Sequence, residues 1–598
     1  MITAPRSQPG KSIFNRVIFY LFMLVLGMLI VLGGLLYYLN WNKGRPNTEY
    51  LNPLQQFNGL PKPILYQGEM MPFTAIGEQE ALKIPFDTVK SFLDPAILFE
   101  ETTQSVIVTT KDKVLRLKTG QLTGMMNERP FDLRFSVEKQ EETIYLPTTP
   151  LLDYYAVELR EIPETGVVWM IRAGDALQWG AVAADPRDPD AAVQEEGQPE
   201  PSVPMRSKPS IKAPIYADLS YGTEIIIWEE TDDGWYRIQL DNGYMGFAEK
   251  AHVQFSRIEV IPSPAVKPPV YVPWKPSGGK INLTWEHVVK KTADSSKLGG
   301  MNGLNVVSPT WFHLTDGEGN INNLADPTYV KWAHARGLQI WGLFSNGFNP
   351  DWTTEALATY DKRMKMVKQL LAYADSYNLQ GINIDFENMY LKDQANLTQF
   401  VRELTPLLHE QGLVVSIDVT IRGGSEMWSL FADRSALGEV VDYMMVMTYD
   451  EHWATSPTAG SVASLPWVEK GILAIMEEDG VPASKLVLGV PYYTRIWTEQ
   501  TVDGKTSVTS KAVSMETVDS IIEKYKLTPL FLPDMGQHYV EYTEDGKVNK
   551  IWIEDEVSMK ARVELVKKHH LAGVASWRRG FETPDIWNLI AQELETKP

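Results

Sequence analysis

From residue 280 to the C-terminus, short apolar runs alternate with longer stretches of mixed polarity. The runs fall at 281–285, 304–308, 339–344, 381–386, 414–419, 443–447, 486–490 and 573–577. Helical periodicity marks stretches between them, such as 359–377, 392–410 and 558–570. Strand–helix alternation repeated eight times over about 320 residues predicts an α/β domain of the (β/α)8 TIM-barrel type. The stretch 497–555, which holds Tyr539 and Tyr542, interrupts the alternation and reads as an insertion. In such a barrel the chemistry belongs at the C-terminal ends of the strands.

Before residue 280 the pattern changes. Residues 62–180 carry short strands and turns, including a hairpin of 105–110 and 113–117 around Lys111-Asp112. We read this segment as a β-rich stalk. Residues 185–207 are rich in Pro, Glu, Asp and Gln without apolar period, which predicts an extended linker. Short strands return at 223–228, 234–240 and 243–248, within a small β domain over 208–257. A proline-rich second linker covers 262–279.

The N-terminus carries about 20 uncharged residues, 17–36, the length needed to span a bilayer. Arg6, Lys11 and Arg16 precede it, and Lys43 and Arg45 follow. Bulky Tyr37, Tyr38 and Trp41 stand where a cleavage site would need small residues. We therefore expect an uncleaved signal-anchor over 17–39, with 1–16 cytoplasmic and the rest outside the cytoplasm. A cleaved signal peptide is the alternative and gives the same location for the remaining chain.

The net charge of −20 argues against a nucleic-acid partner. The absence of cysteine excludes disulfides, thiol catalysis and cysteine–zinc sites. Nine histidines are scattered, and the pair His569-His570 reads as a solvated helix end, so neither metal nor cofactor is expected.

The fourth run is the exception to apolar filling. It reads Gly381-Ile382-Asn383-Ile384-Asp385-Phe386-Glu387. Spacing by two puts Asn383, Asp385 and Glu387 on one face of a strand. Burying carboxylates costs several kcal/mol unless they are paired. A strand carrying its acids into solvent is the bland alternative, but the opposite face is apolar throughout. Two acids on one face, the second at the strand's end, suit protonation of a leaving group.

This run resembles the strand-four signature of family 18 glycoside hydrolases, Asp-Gly-x-Asp-x-Asp-x-Glu, with Gln380 and Asn383 replacing two of its acids. Met445-Val446-Met447-Thr448-Tyr449-Asp450 is similar to the family's Met-x-Tyr-Asp. Gly489-Val490-Pro491-Tyr492-Tyr493-Thr494-Arg495 is similar to Gly-x-Pro-x-Tyr-Gly-Arg, with Thr494 in place of glycine, and Trp577 ends the eighth run. The resemblance implies that Glu387 is the general acid and then the base. Asp385 would orient the substrate's acetamido N–H and raise the pKa of Glu387, and Tyr449 would bond the acetamido oxygen. Asn383, Met447, Asp450, Tyr493, Arg495 and Trp577 would contact the sugar. Asn383 is expected to hydrogen-bond Asp385 and to remove one inner negative charge. The insertion would be a small α+β subdomain walling a cleft. Residues 208–257 resemble a bacterial SH3 domain, with Trp235 and Tyr236 read as barrel core.

The implied substrate carries a 2-acetamido group, so the partner is peptidoglycan or a chitin-like glycan. An anchor, a stalk and an SH3-like module favour the cell wall and lipid bilayer, and the chain is similar to the spore-germination and cortex-lytic hydrolases. A non-catalytic glycan-binding protein and a chitinase remain open.

Overall fold

The computed structural model describes residues 11–186, 201–263, 271–276, 279–503 and 505–595. It divides into two compact units, Met1–Pro95 with Val137–Val266, and Ala96–Ser136 with Lys267–Pro598.

The first unit begins with a helix, Lys11–Lys43. Its stretch Ile18–Tyr38 is 21 residues long with mean hydropathy 2.6, long and apolar enough to cross a membrane. A four-stranded and a three-stranded sheet follow. A seven-stranded sheet then takes in Ala176–Val182, Ser202–Arg206, Ile215–Ser220, Glu224–Glu230, Trp235–Gln239, Met245–Glu249 and Val253–Val260. The strand Ser202–Arg206 lies inside the segment expected as linker, of which 187–200 fall outside the described residues. The strand forms because Val203 and Met205 alternate into the core of this sheet while Ser202 faces out. Trp235 is buried as expected, whereas Tyr236 is half-buried beneath the Lys250 ammonium.

The second unit holds the barrel. Its strands are β1 Ile281–Glu286, β2 Val306–Pro309, β3 Gln339–Ser345, β4 Gly381–Asp385, β5 Val414–Thr420, β6 Tyr443–Met447, β7 Leu486–Pro491 and β8 Gly573–Trp577. All pair in parallel, and β2–β3 pairing closes the ring. Ile382 and Ile384 of β4 face the surrounding helices, in one cluster with Phe344, Phe386 and Phe400. Trp285, Trp341, Leu343, Tyr443 and Met445 make a second, separate apolar cluster. Helices α1 Tyr360–Tyr377 and α2 Gln394–Glu410 flank β4 in sequence. Thr359 caps α1 at its N-terminus, and Asn378 in the left-handed region ends it.

Residues 96–136, part of the segment expected as stalk, form a five-stranded antiparallel sheet in this same unit. Ile107 and Val114 join the cluster formed by the barrel helices. A buried ion cluster reinforces the contact. Arg363 of α1 donates from Nε and Nη2 to Glu403 of α2, both at 2.8 Å, and from Nη2 to Glu100 of the sheet at 3.3 Å. Arg116 of the sheet reaches Asp361 at 2.6 Å.

The insertion begins directly after β7. Five antiparallel strands, from Tyr493–Val502 to Lys547–Ile553, carry the helix Met515–Tyr525. Arg562 and Glu554, both fully buried, join at 2.9 Å, and Arg562 also donates to the Ala463 carbonyl on the barrel side at 2.6 Å.

Candidate active site

The parallel barrel directs every second residue of each strand inward, and β4 places Asn383 and Asp385 there. Asn383 is fully buried. Its Oδ1 accepts from Trp285 Nε1 of β1 at 2.9 Å and from Ser308 Oγ of β2 at 3.1 Å. Those two donors orient the amide, so Nδ2 points to β5, where it donates to Asp418 Oδ1 at 2.8 Å. The amide thus bonds Asp418, not Asp385 as expected. The inner negative charge taken from position 383 is supplied by Asp418, from the neighbouring strand.

Asp385 and Asp418 are both buried, 8% and 4% exposed. Oδ1 of Asp385 has no hydrogen-bond partner. Asp385 is joined to Glu387 by a side-chain hydrogen bond. Glu387 stands two residues past the strand and is partly exposed. Its backbone is clamped by fully buried Asn346, which follows β3. Asn346 Nδ2 donates to the Glu387 carbonyl at 2.7 Å, and Oδ1 accepts the Glu387 N–H at 3.1 Å. Thr353 Oγ1 accepts from the same amide at 3.0 Å.

Burial is the largest cause holding Glu387 well above the ordinary carboxylate range. The charges of Asp385 and Asp450 and the hydrogen bond to Asp385 add to it. Burial likewise raises Asp385, followed by the charge of Asp418, against the hydrogen bond from Glu387. Burial raises Asp418 too, against the bond from Asn383. Burial and neighbouring acids, with no ion pair to a cation among the described residues, thus shift all three carboxyls upward.

The remaining expected residues stand at the C-terminal ends of β6, β7 and β8. The Tyr449 hydroxyl is kept neutral by burial first and then by the charge of Asp418. Its ring lies 6.2 Å from that of Tyr493, edge to face. Asp450, exposed and at φ 61°, accepts from Tyr493 Oη at 2.6 Å and Arg495 Nη2 at 3.3 Å. Met447 is half-buried at the end of β6. Trp577 is half-buried, with its ring 6.0 Å from Trp285 and 5.9 Å from His287. Among the described residues no cluster of His, Asp or Glu is arranged to hold a metal ion.

Sequence reasoning missed Asp418, Asn346, Trp285 and Ser308. For Asp418 the signal was present: in Val-Val-Ser-Ile-Asp-Val-Thr, Ser416 and Asp418 alternate within an otherwise apolar run. Nothing local marks Asn346, whose work is done on a backbone 41 residues away.

Residues 345–582 match the family described as glycosyl hydrolases family 18, and 201–254 match the bacterial SH3 domain. Three curated relatives come from Bacillus subtilis (strain 168). The uncharacterized glycosylase YvbX is 26% identical over 284 residues, 46% of this chain and 80% of that protein. The putative sporulation-specific glycosylase YdhD is 25% identical over 286 residues, 46% of this chain and 66% of that protein. The cortical fragment-lytic enzyme is 26% identical over 235 residues, 39% of this chain and 53% of that protein.

Proposed function

We propose that this chain, which carries a family 18 glycosyl hydrolase domain and a bacterial SH3 domain, is a membrane-anchored glycosidase cleaving β-1,4 bonds of N-acetylglucosamine in peptidoglycan. The observation that carries the reading is the place of Glu387, two residues past the end of β4 beside buried Asp385, where burial and the charge of Asp385 push its carboxyl well above the ordinary range. A carboxyl shifted in that direction at the end of a barrel strand is suited to general-acid work.

In this reading the enzyme supplies no nucleophile. Glu387 protonates the glycosidic oxygen while the substrate's own acetamido oxygen attacks the anomeric carbon. Glu387, now ionised, then takes a proton from the water that opens the cyclic oxazolinium intermediate. Asp385 accepts the acetamido N–H as a carboxylate, and its charge stabilises the developing cation. Neutral Tyr449 donates to the acetamido oxygen. Trp577 forms the apolar floor under the sugar, and Asp450, braced by Tyr493 and Arg495, contacts the same sugar with Met447.

The wall glycan is supported by the relative named as a cortical fragment-lytic enzyme, the SH3 domain and the apolar N-terminal helix. The helix would place the catalytic domain outside the cytoplasm. The test is digestion of purified peptidoglycan, and of chitin in parallel, by the full chain in detergent. Glu387→Gln serves as control, with reducing ends identified by mass spectrometry. New N-acetylglucosamine ends that vanish in the variant support the reading. Binding without cleavage by either protein overturns it, and cleavage of chitin alone moves the substrate.

A further inference from the structure

Resting on the glycosidase reading, we propose that Asp418 on β5 is the proton partner of Asp385: the two inner carboxyls hold one proton between them, and Asp418 keeps it whenever Asp385 must act as an ion.

The argument begins with register. Ile384 pairs with Ile417 across β4 and β5, so Asp385 and Asp418 are the next residues along neighbouring strands. Both are buried, and the groups hydrogen-bonded to Asp418 are neutral, the Asn383 amide and the Trp285 indole. No lysine or arginine among the described residues pairs with either carboxyl. Two adjacent buried carboxylates without a cation do not both ionise. The amide orientation says where the proton lies. Trp285 and Ser308 donate to Asn383 Oδ1, which forces Nδ2 toward Asp418. Asp418 Oδ1 is therefore an acceptor, and the proton belongs on its Oδ2 or on the unpartnered Oδ1 of Asp385. The titratable groups facing the pair are Glu387 from the end of β4 and Tyr449 from the end of β6, with Asp450 acting on Glu387 and Tyr493 on Tyr449.

The step balances within the pair. When the acetamido N–H arrives, Asp385 gives its proton to Asp418 and receives the new hydrogen bond as a carboxylate. When product leaves, the proton returns. Asp418 never touches substrate, so it is a positioning residue that acts through Asp385.

The test compares Asp418→Asn with the wild type as full chains in detergent, using purified peptidoglycan fragments. Asn preserves the acceptor for Asn383 and removes only the titratable oxygen. The expected result is a kcat at least tenfold lower, KM within twofold, and an acidic limb of kcat/KM displaced to higher pH, because buried Asp385 must then lose its proton to solvent rather than hand it to Asp418. The exchange Asn383→Asp with Asp418→Asn returns the carboxyl from the opposite strand and reverses the donor between them. It should restore both the rate and the limb. An unmoved limb in the single variant, or an exchange as slow as the single variant, overturns the proposal.

Melting temperatures at pH 5, 6.5 and 8 are read without substrate. The wild-type pair keeps a proton that the unfolded chain has lost, so stability falls as pH rises from the ordinary carboxylate range. The advantage of Asp418→Asn should therefore grow with pH, and a constant difference overturns the shared proton. If the wild type cleaves no glycan, the glycosidase reading fails and the melts still decide the proton.

Discussion

Replacing Arg363 with Met tests how firmly the sheet 96–136 belongs to the catalytic body. In the wild type the guanidinium satisfies two buried acids from different elements, Glu403 and Glu100, and also the Leu357 carbonyl at 2.9 Å. Without it, Glu403 keeps only the Gln399 amide at 2.8 Å, whereas Glu100 keeps the Tyr360 N–H at 2.7 Å. Glu403 is fully buried, so it dominates the loss. Removing one partner of such a pair costs about 3–5 kcal/mol. The stranded acid can escape part of that by binding a proton. Burial already raises Glu403 above the ordinary carboxylate range, and losing the Arg363 charge raises it further. A raised carboxyl loses stability as pH rises from its unfolded value, so each unit of acidification regains up to about 1.4 kcal/mol. The deficit should be near its full value at pH 8 and clearly smaller at pH 5. Adding Glu403→Leu removes the stranded charge and should recover most of it. The assay is urea unfolding followed by tryptophan fluorescence, since Trp285, Trp311, Trp341 and Trp497 are all fully buried in this unit. A loss below about 1 kcal/mol at pH 8, or one of equal size at pH 5, would refute the reasoning about a stranded acid.

Glu387→Gln should reduce turnover of peptidoglycan by about 10²–10⁴-fold. The same change should raise the melting temperature, with a gain that increases from pH 5 to pH 8, because the folded state holds this carboxyl's proton beyond the ordinary range; calorimetry across pH checks the sign. Asn346→Ala frees both backbone groups of Glu387 and should lower kcat by about tenfold or more with little change in KM, measured by steady-state kinetics. Tyr449→Phe removes a neutral donor and should lower kcat by about 10²-fold, and a loss below about threefold would rule out its bond to the acetamido oxygen.

Much of the barrel was readable because parallel strands covered on both faces spell themselves as unbroken apolar runs. The eight expected runs coincide with β1–β8 to within two residues at each end. The helix expected at 359–377 begins at Tyr360 because Thr359 is its cap. The pair Asp385 and Glu387 was legible for the opposite reason, as polar residues in a strand that packing alone would make apolar. What remained hidden depends on contacts distant in sequence. Asp418 is 35 residues from Asn383, and only the closed ring brings β5 beside β4. The docking of 96–136 on the barrel was equally hidden, because Glu100 and Arg363 are 263 residues apart and each looks like an ordinary surface charge. The strand Ser202–Arg206 escaped notice because only two core residues, with Pro204 between them, mark it.

The way residues 96–136 are threaded has a consequence for release of the enzyme. The chain leaves the first unit after Pro95, builds one sheet of the catalytic unit, returns at Val137 and crosses for good near residue 266. A protease that cuts only the second linker would open the covalent path to the barrel at one of three crossings. The barrel would stay attached through the sheet on its flank, held by Ile107, Val114 and the Arg363 cluster. Shedding therefore requires a cut at all three crossings or the unfolding of that sheet, so a single nick leaves the hydrolase tethered to the unit that carries the apolar helix.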